Sequence, residues 1–222
     1  MSFVGEQIKE ICTSLPEKVT LVAISKFHPA NAVSEAYSVG QRVFGESRVQ
    51  ELCAKKEQLP DDIEWHFIGT LQGNKVKYIA PFVKLIHSVD SLKLLLEIDR
   101  QAKKCGRIID ILLEFHIAAE STKHGLSLSE CTTLLAEEAV KKALNIRIRG
   151  IMGMATYTHN EGLIRAEFQT LKHYFDILKQ SCFSNDAGFD VISMGMSDDY
   201  PIAIEEGSTM IRVGSKIFGS RS

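Results

Sequence analysis

What the chain lacks narrows the field first. Its five cysteines (Cys12, Cys53, Cys105, Cys131, Cys182) are odd in number, scattered and never in a Cys-x-x-Cys pair. That pattern argues against a disulfide framework and reads as reduced thiols in a cytoplasmic protein. None of the seven histidines forms a pair at metal-ligand spacing, so no metal site is expected. No stretch approaches the roughly 20 apolar residues of a membrane span. The first residues, Met1-Ser2-Phe3-Val4-Gly5-Glu6, offer no positive region followed by an apolar core, so no secretory signal is expected either. The formal charge is only −2 and no basic run is interleaved with aromatics, which argues against a nucleic-acid partner. No low-complexity tract or Pro/Gly/Ser-rich linker divides the 222 residues, which read as one domain, 1–222.

What is present is an alternation. Short apolar runs at 20–25, 42–44, 65–68, 85–88, 108–116, 147–152, 191–193 and 210–213 read as eight strands. Helical patterns fill the gaps, and one more helix, 5–14, precedes them all. Ser47-Arg48-Val49-Gln50 has capping-box spacing, as do Ser127 and Glu130 ahead of a helix expected to reach about Lys142. Asp90 or Ser91 is placed to cap the helix carrying Leu92, Leu95 and Leu96. Ile164, Phe168, Leu171, Phe175 and Leu178 share one helical face. Strict β-then-α order implies parallel strands with helical crossovers. Eight such units fit a closed (β/α)8 barrel with an extra N-terminal helix; an open doubly wound sheet is the alternative that periodicity alone leaves standing.

Chemistry in a barrel belongs to the C-terminal ends of its strands. There the first strand delivers Lys26, after the run 19–24 and Ser25. Low-dielectric surroundings favour a neutral amine, and a neutral amine attacks aldehydes to form a Schiff base. The last two strands run into Ser193-Met194-Gly195-Met196-Ser197 and Arg212-Val213-Gly214-Ser215. Glycines let backbone N–H groups approach an anion, and serine hydroxyls add donors. A short helix is expected to start at Ser197 or Asp198, with Pro201 in its first turn. Arg212, inside an apolar strand, needs a carboxylate or a ligand acceptor. Lysine plus anion cradle suggests a phosphorylated aldehyde. Met152, Met154, Met194 and Met196 read as packing around the mouth, and His66 and His116 as core or lining residues. The stretch Gly69-Thr70-Leu71-Gln72-Gly73-Asn74-Lys75 is no nucleotide P-loop: its glycine spacing is wrong and no Ser or Thr follows the lysine.

That same stretch, extended back through Trp65-His66-Phe67-Ile68, resembles the signature of the pyridoxal phosphate homeostasis protein family. So do Val22-Ala23-Ile24-Ser25-Lys26, Phe44-Gly45-Glu46, Lys123-His124-Gly125, Arg149-Gly150-Ile151-Met152-Gly153-Met154, and Ser193 to Ser197 with Asp199. The tail from Gly207 through Arg212-Val213-Gly214 to Phe218-Gly219 matches as well, so the resemblance spans nearly the whole chain.

The resemblance implies a single barrel related to the alanine racemase N-terminal domain, with pyridoxal 5'-phosphate at its mouth. It places the Schiff-base lysine at Lys26, the arginine facing the pyridine nitrogen at Arg212, and phosphate contacts at Ser193, Ser197, Gly214 and Ser215. Ser47 stands where the family commonly has asparagine, which puts that residue's contact in doubt; Ser215 keeps the hydroxyl of a frequent threonine. The implied function is a cytoplasmic, monomeric carrier in PLP homeostasis, without strong catalysis of its own, passing the cofactor to PLP-requiring apo-enzymes or amines. With the chain ending at Ser222, no second domain is expected to supply the opposing base of a two-base racemase. A PLP-dependent racemase or lyase is the alternative, and a PLP-free aldolase using Lys26 on a sugar phosphate is another. Lys123 is a possible second station for the aldehyde.

Overall fold

Apolar runs of this length bury both faces, so they can only sit between two layers of side chains. In the computed structural model, which describes residues 2–120 and 124–219, they form eight parallel strands. These are β1 (Thr20–Ile24), β2 (Val43–Glu46), β3 (Glu64–Phe67), β4 (Leu85–Val89), β5 (Ile109–Phe115), β6 (Ile146–Gly153), β7 (Val191–Ser193) and β8 (Met210–Val213). They pair in chain order, and β8 pairs back with β1 through Thr20↔Met210 to Ala23↔Val213. The sheet is therefore a closed barrel, which removes the open doubly wound alternative.

Helices α2 (Ala30–Ser38), α3 (Val49–Gln58), α4 (Gly73–Ile79), α5 (Leu92–Lys104), α6 (Leu128–Ala136), α7 (Glu138–Lys141), α8 (Glu161–Ser181), α9 (Tyr200–Glu205) and α10 (Ser215–Phe218) follow the strands. α10 is a single turn, and α1 (Phe3–Ser14) packs against it and against α2. The buried face of α1, with Val4, Ile8 and Ile11, joins the same core as Leu21 and Ala23 of β1.

The core has two shells. Inside the barrel, Val22, Ile24, Leu85, Leu112, Met152 and Met210 fill the axis. Between barrel and helices lie Phe44, Trp65, Phe67, Phe115, Phe168 and Phe189, each worth roughly 1.5–3 kcal/mol on burial. Met194 belongs to this outer shell, so it packs behind the wall and not at the mouth.

Three local expectations are corrected. Arg48, not Ser47, is the N-cap of α3, and no side chain caps that helix. Ser47 lies against the backbone of Gly69, where a Cβ would stand 2.3 Å from the Ser47 carbonyl oxygen. The helix capped by the Ser127–Glu130 box stops at Ala136, because Glu137 turns extended (ψ 130°) before α7 begins. The short helix after β7 starts at Tyr200 with Asp199 at its N-cap, later than the expected start at Ser197 or Asp198. Ser91 does cap α5, accepting from the Leu94 N–H at 3.4 Å.

Candidate functional site

The alternation of β1 sends Val22 and Ile24 into the barrel, and the next inward position is Lys26. It lies half-buried at the wall of a cavity of about 690 Å³ at the C-terminal ends of the strands. Directly after it, Phe27 takes a left-handed conformation (φ 68°) that non-glycine residues rarely adopt. Such a residue persists only where its surroundings hold it. Here the Phe27 N–H donates to Glu51 Oε1 at 2.7 Å, and the His28 N–H donates to the Ser25 carbonyl at 3.0 Å.

A buried ionic cluster behind β1 anchors this turn. Ser25 Oγ donates to Glu46 Oε1 at 2.6 Å. Lys55, only 4% exposed, donates from Nζ to the Ser25 carbonyl at 2.7 Å, Glu46 Oε1 at 2.5 Å and Glu51 Oε1 at 2.8 Å. Burial raises the carboxyl pKa of Glu46, and Lys55 opposes that rise. The lysine that makes the turn rigid is thus not the lysine that faces the cavity.

Arg212 enters the cavity from β8 and is 4% exposed. Its Nη1 donates to Ser193 Oγ at 2.7 Å and its Nη2 to the Gly153 carbonyl at 3.1 Å. Both acceptors are neutral, and no carboxylate among the described residues lies within ion-pair distance of it. Burial lowers its pKa to about 10, with Asp199 and then Glu114 drawing it upward, so it remains a cation at neutral pH. Beneath it runs a buried string: Ser193 Oγ lies 3.1 Å from His87 Nδ1, and His87 Nε2 lies 3.0 Å from His66 Nδ1. Arginine has only donors, so Ser193 Oγ accepts from it, and the two imidazoles continue the string with each ring nitrogen donating or accepting according to its tautomer. Burial is the main cause that holds both imidazoles neutral, His66 at about 3 with help from Lys84, and His87 well below its usual range.

The last two strand ends meet as expected. Ser197 Oγ accepts from the Gly214 N–H at 3.2 Å and the Lys216 N–H at 3.5 Å, tying the two loops together. Gly195 sits at φ 96°, and a Cβ there would stand 2.7 Å from that of Ala203. The walls between are apolar, with Ile24, Ile68, Met152 and Met154.

Lys26, Ser197, Arg212, Gly214 and Ser215 therefore share one cavity. Ser193 does not line it. That side chain is fully buried, and it reaches the site only by holding Arg212, so its expected phosphate contact is corrected. Lys123 lies outside the described residues. Reading the sequence missed His87, the Glu46–Lys55 pair and Glu114, a cavity-lining carboxyl on β5. The inward parity of 85 and 87 on β4 was the available signal for His87.

Comparison with known proteins gives the family and the fold. The alanine racemase N-terminal domain family matches residues 4–222. A pyridoxal phosphate homeostasis protein of Aquifex aeolicus is 37% identical over 225 residues, covering 100% of this chain and 96% of the relative. One from Pseudomonas aeruginosa is 35% identical, with 100% and 97% covered. Among solved structures, PipY of Synechococcus elongatus with PLP bound superposes with a TM-score of 0.89 at 36% identity, over 97% of this chain and 100% of that one. Alanine racemase from Bartonella henselae shares the fold, with a TM-score of 0.69 at 12% identity over 98% of this chain and 60% of that one.

Proposed function

Since the chain belongs to the pyridoxal phosphate homeostasis protein family, built on the alanine racemase N-terminal domain, we propose that it binds pyridoxal 5'-phosphate as a Schiff base on Lys26 and serves PLP homeostasis. The observation that carries this reading is Arg212. A guanidinium buried this deeply is costly unless paired, yet among the described residues it meets only a hydroxyl and a carbonyl. Its remaining N–H groups need an acceptor from a ligand in the cavity that also holds the Lys26 amine.

The residues present fit the cofactor. Lys26 supplies the amine, the loops after β7 and β8 supply backbone N–H groups for the phosphate, and Ile24, Ile68, Met152 and Met154 supply flat apolar walls. Bound pyridoxal phosphate supplies an aldehyde carbon that reacts with primary amines. Arg212 cannot take a proton, so a ring nitrogen facing it stays unprotonated and the ring remains a weak electron sink. That weak sink suits a protein whose main task is to bind the cofactor. The protein then acts as a cytoplasmic monomer that yields its cofactor to PLP-requiring apo-enzymes.

Borohydride reduction of the PLP-loaded protein followed by peptide mapping tests the reading. The phosphopyridoxyl mass is expected on the peptide containing Lys26. Its absence there, with no visible absorbance band from bound cofactor, overturns it.

A further inference from the structure

The polar cofactor contacts proposed above come from β1, β7 and β8. The other half of the cavity is lined by Glu114 of β5, His124 beyond it, and Thr156, Thr158 and Glu161 after β6. In a closed ring of eight strands, β5 is the strand opposite β1, so Glu114 and Lys26 occupy opposite sides of one mouth.

Glu114 is 6% exposed, and its carboxyl makes no hydrogen bond or ion pair with any described residue. The carboxyl lines the cavity, so a donor for it comes from that side, and a carboxylate held this far from bulk solvent is unfavourable without one. Burial, and then Asp90 after β4, raise its pKa to about 7, while Arg212 of β8 and His124 pull the other way. Its partner on β6, Met152, offers no hydrogen. Among the described residues no group of three or more potential metal-ligating side chains gathers there. An anion is disfavoured by the acidic neighbours Asp90 and Glu161. What fits is a compact group with several N–H donors, a positive charge and an apolar body for the wall formed by Met152, Met154 and Ile164.

We propose that Glu114 anchors an amine subsite, which takes the ammonium group of a small primary amine into the half of the cavity opposite Lys26. The inference rests on the PLP reading and deepens it, because amines are the class of molecule that reacts with an aldehyde carbon. The cavity then holds both the cofactor and the small molecule that competes with Lys26 for it.

The test uses protein whose PLP has been fixed by borohydride, so that no amine can react, and in parallel the full chain as purified without cofactor. Propylamine is titrated by NMR, with 1-propanol as its uncharged counterpart and propionate as the anion. Propylamine is expected to bind at least about tenfold more tightly than either, and Glu114→Gln to remove that preference. In the wild type, affinity should be roughly ninefold higher at pH 8 than at pH 6, since a carboxyl with pKa about 7 is about one-tenth ionised at the lower pH and nine-tenths at the higher. Equal binding of propylamine and 1-propanol, or a flat pH profile, overturns the subsite. So does a Glu114→Gln protein that keeps its amine affinity but retains PLP poorly, because the carboxyl then belongs to the cofactor's own contacts. If borohydride fixes nothing at Lys26 while the unloaded chain still binds propylamine through Glu114, the cofactor reading falls and the subsite stands.

Discussion

Two buried charge clusters flank the end of β1, and they are built on opposite plans. Behind the strand, Lys55 is closed by Glu46, Glu51 and the Ser25 carbonyl, all within 2.8 Å. In front of it, among the described residues, Arg212 donates to Ser193 and the Gly153 carbonyl, and the Glu114 carboxyl makes no hydrogen bond or ion pair. The first cluster surrounds its lysine with protein acceptors and fixes the strained turn at Phe27, leaving Glu46 Oε2 as its one buried oxygen without a partner among the described residues. The second leaves a cation and an acid open toward a cavity. Burial alone does not mark function; burial of charge without protein compensation does.

The largest expected effect breaks the closed cluster. Lys55→Met strands Glu46 and Glu51 and should cost about 3–5 kcal/mol in urea unfolding, with loss of PLP binding as the turn relaxes. A loss below about 1 kcal/mol contradicts the role given to the pair.

Next comes the pH response of the open acid. The pKa of Glu114 is raised on folding to about 7, so its contribution to stability is fullest below the unfolded carboxyl range near 4.3 and is lost as pH climbs through 7. For this group the loss amounts to about 4 kcal/mol in cofactor-free protein. Denaturation profiles of wild type and Glu114→Gln should diverge between pH 5 and 8, the variant lacking that decline. Parallel profiles contradict the assignment.

Arg212→Met sharpens the contrast from the other side. PLP retention should fall about 100-fold, while folding stability changes by less than about 2 kcal/mol, because the removed charge made no ion pair with any described residue. Comparable losses in both make Arg212 a structural residue like Lys55. Smallest of all, Ser193→Ala removes one acceptor from Arg212 and should weaken PLP retention by about 1 kcal/mol in an equilibrium titration. No change in retention means that the string through His87 does not position the guanidinium.

Most of the fold is readable from the chain because each strand is a run of apolar residues bounded by turn residues. The runs 191–193 and 210–213 match β7 and β8 to the residue. Strand ends in turn place Lys26, Arg212, Ser197, Gly214 and Ser215 at one mouth. Two kinds of feature escape such reading. On β5 every residue is buried, so no alternation tells that Glu114 faces inward. Likewise β7 gives no hint that Ser193 lies a layer below the cavity. Lys55 meets Ser25 across 30 positions, and nothing in an amphipathic helix marks one of its lysines as buried. The break at Glu137 has no glycine or proline to announce it.

The most direct measurement is a crystal structure of this protein grown with pyridoxal 5'-phosphate. The account predicts a bond between the cofactor's aldehyde carbon and Lys26 Nζ, with the ring nitrogen accepting a hydrogen bond from Arg212. A cofactor seated elsewhere, with the guanidinium of Arg212 meeting no ligand atom, contradicts it.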